Sequence, residues 1–322
     1  MFIGTAGSAP TARRGLPSTL VRRGGDRLLF DCGEGTQRQL LRSIGLIDLE
    51  EIFLTHFHAD HFLGLPGMLK TFGLRGRETP LTIYGPPGLR VLFDALRPVI
   101  GGTAYDVRLV ELEPNEPLER DGYLVAPYPV EHRATAYGYV LVEQDRPGRF
   151  DEDRARELGV QPGPDFGRLQ NGEAVTVDGR EVLPDEVLGE VRRGRKLVLT
   201  GDTAPADATR AMAHGADLLV HEATFATEEA DRAAETGHST ARGAAQLAAA
   251  AEVAMLALTH VSPRYPAEEL RAEAREVFDA TIVPRDFDRV EIPFPERGGP
   301  VHVRAQRGAP QPETSPLSAE NE

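Results

Sequence analysis

An α/β fold is predicted by three features of this chain. Short apolar runs each stop at polar residues, stretches of helical periodicity separate them, and no internal repeat or low-complexity tract breaks the alternation before the C-terminal region. The first clear run, residues 28–30, ends in Asp31-Cys32-Gly33-Glu34-Gly35, and residues 52–55, 197–200, 218–220 and 255–259 are runs of the same kind. Helical spacing is clearest over 36–44, over the alanine-rich 240–251, and over 267–278, where Pro266 stands at the expected first turn. Two regions depart from this rhythm. Residues 143–194 are charged and rich in Gly and Pro, with apolar residues too scattered for a core layer, and predict a protruding insertion. Residues 296–322 are polar, carry Pro310, Pro312 and Pro316, and predict a disordered tail behind a domain of residues 1–295.

A chain of 322 residues with 40% hydrophobic residues can bury a substantial core. No apolar run approaches the roughly 18 residues that span a bilayer, and the N-terminus lacks a basic-then-apolar leader, so a cytoplasmic location is expected. The single cysteine, Cys32, has no intramolecular partner and reads as a small buried thiol. The net charge of −14, from 50 acidic against 36 basic residues, opposes a nucleic-acid substrate unless basic residues cluster locally or the acidic surface serves solubility in a salt-rich cytoplasm. Local basic groups occur at Arg13 and Arg14, at Arg22 and Arg23, and over 192–196.

The strongest chemical signal is His56-Phe57-His58-Ala59-Asp60-His61, three imidazoles and a carboxylate directly after an apolar strand. Imidazole nitrogen and carboxylate oxygen are ligands for Zn²⁺, and a loop at a strand end can turn two pairs toward two adjacent ions. One loop cannot complete two coordination shells, so further His and Asp residues are expected at other strand ends. His132, Asp202 and His260 stand there, each just past an apolar run, where open α/β sheets place their sites. His238, before the alanine-rich helix, is not needed as a ligand. It could donate a proton to a leaving oxygen, or simply begin the helix that Ser239 or Thr240 caps.

His-x-His-x-Asp-His followed by a later His, Asp and His resembles the metallo-β-lactamase superfamily. The resemblance implies a four-layer αβ/βα sandwich and two Zn²⁺ per subunit. His56, His58 and His132 would hold one ion, Asp60, His61 and His260 the other, and Asp202 would bridge them. Asp60 would also orient the attacking water or take its proton, and His238 would be the general acid. Within the superfamily, Gly4-Thr5 with Pro10-Thr11, residues 31–37, residues 64–67, residues 221–225, His238-Ser239-Thr240 and residues 259–265 are similar to the ribonuclease Z family over nearly the whole chain. Residues 158–172 resemble the flexible arm with which that family's dimers grip tRNA, although Arg168 and Gln170 stand where lysines are usual. The implied activity is endonucleolytic removal of 3′ trailers from precursor tRNA near the discriminator nucleotide, leaving a 3′-hydroxyl, by a cytoplasmic homodimer. Asp31 is expected to orient a ligand imidazole and Glu222 to orient His238, while His214, His221 and His302 receive no role. The first strand is expected to be short, or the chain to begin upstream of Met1. Two other readings stay open: a zinc phosphodiesterase or esterase acting on small molecules, and a non-catalytic RNA-binding protein. A redox di-iron centre is disfavoured by His58, where a carboxylate would be expected.

Overall fold

The structure is a computed structural model that describes residues 1–46 and 48–306. Ten strands of the first half and of the middle of the chain set up its frame: β1 (Phe2–Gly4), β2 (Ser18–Arg23), β3 (Asp26–Phe30), β4 (Glu51–Phe53), β5 (Leu81–Gly85) and β6 (Val107–Glu111) lie side by side in that order, and β7 (Leu118–Arg120), β8 (Tyr123–Pro129) and β9 (Tyr137–Glu143) open a second sheet; β10 (Val175–Val177) belongs to the insertion. The second sheet continues through β12 (Lys196–Leu199), β13 (Leu218–Glu222), β14 (Leu256–Thr259) and β15 (Thr281–Ile282), with β12 to β15 parallel and β12, β9, β8 and β7 antiparallel. Between β10 and β12 lies β11 (Arg180–Val182), the partner of β10.

The apolar runs of β3, β4, β12, β13 and β14 read as continuous because those strands are buried on both faces. Leu28 and Phe30, Phe53, Leu197 and Leu199, and Leu218 and Val220 point between the sheets, where Phe53 stacks on Phe30 at 4.9 Å and on Tyr84 at 4.7 Å. Their neighbours Leu29 and Ile52 point outward against α1 (Thr36–Ser43), α3 (Gly64–Leu74) and α4 (Leu89–Ile100), with the one-turn α2 (Ala59–Phe62) leading into α3. Val198, Leu219 and Leu256 point to the other outer layer, beneath α7 (Asp207–Ala213), α9 (Ala241–Ala250) and α10 (Ala267–Arg275). The alanines of α9 let its backbone sit close to the sheet, and Thr240 caps it by accepting from Gly243 N. These four layers are the αβ/βα sandwich that the resemblance implies.

Two expectations are corrected. The apolar residues of the insertion are not too scattered to pack: Ala155, Val160, Leu169, Val175, Val182 and Val187 form a separate small core. It is built by α5 (Glu152–Glu157), α6 (Pro164–Gln170) and the β10–β11 hairpin, with Asp151 capping α5. Its apolar residues come from four short elements and show no single period, which hides them in the sequence. The disordered tail expected from residue 296 does not begin there, because β17 (Val301–Val303) pairs antiparallel with β16 (Arg289–Glu291), and His302 and the backbone of Ala305 are both held by Asp288. Residues 307–322 lie outside the described residues.

The insertion is rooted by a buried carboxylate. Glu143 takes Arg23 from the first sheet at 2.7 Å and Arg195 from the second at 2.6 Å, and Arg195 also donates to Ile292 O. Burial by itself would raise the carboxyl pKa of Glu143, but Arg195 and then Arg23 outweigh it and leave it lowered. A lowered folded-state pKa contributes stability that is present above the unfolded value and is lost as pH falls through the folded one. Glu143→Gln should therefore lower unfolding stability by about 1–3 kcal/mol at neutral pH, with the gap to wild type closing in acid; chemical denaturation at several pH values reads it, and a gap independent of pH would show that the charge is not the cause.

Candidate metal centre

All of the metal-type side chains meet at the C-terminal edge of the parallel strands. Asp31 follows β3, His56, His58, Asp60 and His61 follow β4, and His132 follows β8; Asp202 follows β12, Glu222 ends β13, and His260 follows β14. His56, His58, His132 and Asp202 bring one ligand atom each within 4.8 Å of one another, and so do Asp60, His61 and His260. Burial grades from His56, His61, Asp202 and His260 at the floor to His58 at the exposed mouth, so one side of the cluster is open to substrate.

The spacing can be tested against a cation. Ligand atoms about 2.0–2.1 Å from a tetrahedral ion lie roughly 3.3 Å from one another. His58 Nδ1 is 3.0 Å from His56 Nε2 and 3.2 Å from His132 Nε2. Asp202 Oδ1 is 3.3 Å from both His61 Nε2 and His260 Nε2, while its Oδ2 is 3.8 Å from His56 Nε2. Asp60 Oδ2 is 3.2 Å from His260 Nε2. His61 Nε2 and Asp202 Oδ1 are close, yet neither has an aligned hydrogen bond among the described residues, and both are buried. Buried polar atoms normally find a partner, so two orphans aimed at one point suit a cation between them.

The opposite face of every ligand ring except that of His58 is engaged. Thr55 Oγ1 lies 3.0 Å from His56 Nδ1 and is bonded to Asp31; Asp31 Oδ2 is 2.7 Å from His61 Nδ1; Gly237 O is 2.8 Å from His132 Nδ1. Thr224 Oγ1, which donates to Glu222 Oε2, is 2.8 Å from His260 Nδ1. Each contact selects the tautomer whose Nε2 lone pair faces the cluster. Of these partners only Asp31 is legible in the sequence; Thr55, Thr224 and the Gly237 carbonyl carry no pattern beyond their places next to ligands and His238. Without a cation, burial pulls the His61 pKa down, but Asp202 and Asp31 outweigh it and hold it well above the usual value. For His56 burial wins, aided by the charge of His61, and its pKa lies well below. Burial raises the Asp60 pKa, but His260 and His61 more than reverse this, so it is ionised.

His238 stands apart. Its Nδ1 is 2.7 Å from Glu222 Oε1 and 4.0 Å from Asp202, so although Asp202, His238 and His260 also converge, the nitrogen on that side is already engaged. Burial lowers its pKa, yet Glu222 more than compensates and the net shift is upward. His221 is buried, its Nδ1 faces the Glu222 carbonyl at 2.8 Å, and it belongs to none of these groups. His302 is taken up by Asp288, and Cys32 is a fully buried thiol whose pKa burial pushes up.

Backbone constraints fix the loops. Gly7 N donates to Val261 O, and a Cβ on Gly7 would lie 2.4 Å from His260 Nδ1; a Cβ on Gly33 would lie 2.3 Å from Asp60 O. Ser8 N donates to Asp60 Oδ2 at 2.9 Å. Asp31 (φ 59°) and His260 (φ 56°) are both left-handed, a strain of order 1–3 kcal/mol each that recurs at functional sites.

Comparisons with known proteins agree with this geometry. The profile of the Metallo-beta-lactamase superfamily matches residues 14–149. The chain is 48% identical to a ribonuclease Z of Halorubrum lacusprofundi over 92% of its own length and 97% of that protein. It is 47% identical to a ribonuclease Z of Gemmatimonas aurantiaca, over 92% and 96%. The crystal structure of the short form of human tRNase Z superposes with a TM-score of 0.63 at 27% identity, covering 89% of this chain and 96% of that one.

Asp31→Asn keeps a residue type that tolerates the left-handed backbone and can still accept from Thr55, but it presents an amide to His61 Nδ1. Divalent-metal affinity should fall about 10–100-fold with the fold unchanged, as titration against a competing chelator and circular dichroism would show; undiminished affinity would remove Asp31 from the support of His61.

Proposed function

The chain belongs to the ribonuclease Z family of the metallo-β-lactamase superfamily, and from that membership we propose that it is a zinc-dependent endoribonuclease that removes 3′ trailers from precursor tRNA near the discriminator nucleotide, leaving a 3′-hydroxyl on the tRNA. The observation that carries this reading to the chemistry is the convergence of seven His and Asp side chains on one open sheet edge.

In this reading His56, His58 and His132 would hold one Zn²⁺, Asp60, His61 and His260 a second, and Asp202 would serve both. Two such ions supply Lewis acidity, a lowered pKa for the attacking water and charge to offset that building on the phosphate. The chain's own groups do the rest. Asp60, held ionised and fixed by Ser8 N, orients the attacking water or takes its proton. His238 carries its proton on the nitrogen turned away from Glu222 and passes it to the leaving oxygen; Glu222, whose own pKa is lowered by His238 against burial, keeps that imidazole charged and oriented. The insertion is the arm that grips tRNA across a homodimer, and its separate core makes it a unit that could move substrate contacts away from the catalytic domain. No helix among the described residues is long and apolar enough to cross a membrane, and the reading places the enzyme in the cytoplasm. The net charge of −14 favours a second reading, a phosphodiesterase of the same fold acting on small molecules.

Zinc-loaded protein incubated with a precursor tRNA bearing a 3′ trailer should make one cut at the end of the acceptor stem, abolished by a chelator. No cut, with a small phosphodiester still hydrolysed, would move the function to the second reading. In the same assay His238→Ala should retain its metal and slow cleavage about 10²–10⁴-fold, whereas His61→Ala should lose metal as well; equal metal loss in both would sink the assignment of His238 as the acid. Excising residues 147–190, inside the bridge between Arg146 and Arg192, should weaken precursor binding by roughly tenfold or more while small-ester hydrolysis continues. An unchanged affinity would mean the insertion is not the arm.

A further inference from the structure

A groove of about 1700 Å³ runs beside the metal cluster, larger than the roughly 300–1,000 Å³ of small-molecule sites. It lies between the loop of residues 10–15, the face of α1, the loop that leads from His260 into α10, and residues 282–288. Nine arginines and four carboxylates line it, with no lysine, on a chain whose net charge is −14. Two of the carboxylates face inward: Asp286 is bonded to Thr5, Gly15 N and Gln39, and Asp288 to Arg285 N, His302 and Ala305 N.

The arginines divide into two sets. Arg14 is tied to Thr5 and Pro284 O, Arg42 to Gln39, Arg264 to Glu229, Arg271 to Glu268 and Arg275 to Thr281 O, and these build the walls. Arg13, Arg38, Arg285 and Arg304 are exposed, and their side chains have no hydrogen bond or ion pair among the described residues. Arg42 lies over the ring of Phe287, 5.8 Å from its centroid, which puts an aromatic face among the cations. A cationic channel with an aromatic face is the arrangement that follows a single-stranded phosphate backbone. The groove adjoins the cluster, since just ahead of the loop that forms its wall Ser8 N donates to Asp60 and Gly7 packs against His260.

We infer that this groove binds consecutive phosphates of the single-stranded 3′ trailer, downstream of the cut, with Arg13, Arg38, Arg285 and Arg304 as its free cations. The inference rests on the tRNA-processing reading, because only that substrate has a duplex on one side of the cleaved bond and a single strand on the other. Guanidiniums suit the task because each can take a phosphate through two parallel hydrogen bonds. The free ones have no ion pair among the described residues that binding would have to break.

The test uses the zinc-loaded full chain with Arg13, Arg38, Arg285 and Arg304 all changed to Gln, the same four changed to Lys, and a control in which Arg90, Arg97, Arg108 and Arg210, all outside the groove, become Gln. Fluorescence anisotropy with a single-stranded RNA oligonucleotide should show the slope of log affinity against log salt falling by about 3 in the Gln variant, near 0.7 for each phosphate that is no longer neutralised. The Lys variant should recover most of the slope, and the control should keep it. With precursor tRNAs, KM should rise roughly tenfold for long trailers and little for short ones. An unchanged slope, or an equal rise in KM for short and long trailers, would overturn the assignment. Absence of any tRNA cleavage by the wild type would instead reject the proposed function, and the oligonucleotide slope would still decide the groove.

Discussion

The structure depends on one constraint: buried imidazole nitrogens and carboxylate oxygens must face one another across about 3–4 Å with no proton to share between several of them. Left alone, such a cluster loses hydration without gaining hydrogen bonds, which is expensive inside a protein. It is tolerable only where a cation completes it and where every other degree of freedom is removed beforehand. The fold supplies ligand geometry for the first and meets the second. Parallel strands from two sheets end at one edge, so Asp31, His56, His132, Asp202 and His260, distant in sequence, need only sit one to three positions past a strand to meet. The sandwich between Phe30, Phe53, Tyr84 and Tyr139 holds those ends in register.

The ring partners follow from the same constraint. A histidine that offers Nε2 to a cation must carry its proton on Nδ1, so an acceptor has to stand behind it. Thr55 can accept from His56 because its own hydroxyl proton goes to Asp31, and Thr224 can accept from His260 because its proton goes to Glu222. The hydroxyls therefore relay the charge of a buried carboxylate to a ring. His58 is the exception, presenting Nδ1 to its neighbours at the exposed mouth.

How much of this was legible in the sequence follows from which features repeat. The strands with Leu28, Ile52, Leu197 and Leu256 announce themselves because burial on both faces removes every polar residue, and the ligands stand out because His56-x-His58-x-Asp60-His61 is dense. The small core of the insertion is invisible because Ala155, Leu169, Val175 and Val182 sit on four separate short elements, and the pairing of Val301–Val303 is masked by polar surroundings. Thr224 and the Gly237 carbonyl are equally hidden, since a hydroxyl or a backbone oxygen behind a ring leaves no periodic trace. Composition misled in a different way. A net charge sums over the molecule, whereas a substrate meets a local field, and the arginine-lined groove reverses the sign of the average beside the metal cluster.

Glu222 joins two functions that the sequence presents as separate motifs. One oxygen holds His238 Nδ1 and receives Thr203 N; the other receives the amide and hydroxyl of Thr224, whose oxygen in turn backs His260. A single buried carboxylate thus sets the orientation of His238, the proposed acid, and, one hydroxyl removed, of His260, a proposed metal ligand. Changes at Glu222 cannot distinguish acid catalysis from metal retention, because both lose their support at once. Changes at His238 can, since Thr224 keeps its bond to Glu222 when that ring is gone. The separation of the two roles is therefore a property of Thr224 standing between them, and it explains why the acid can sit 5.5 Å from the ring of His260 without being drawn into the ligand set.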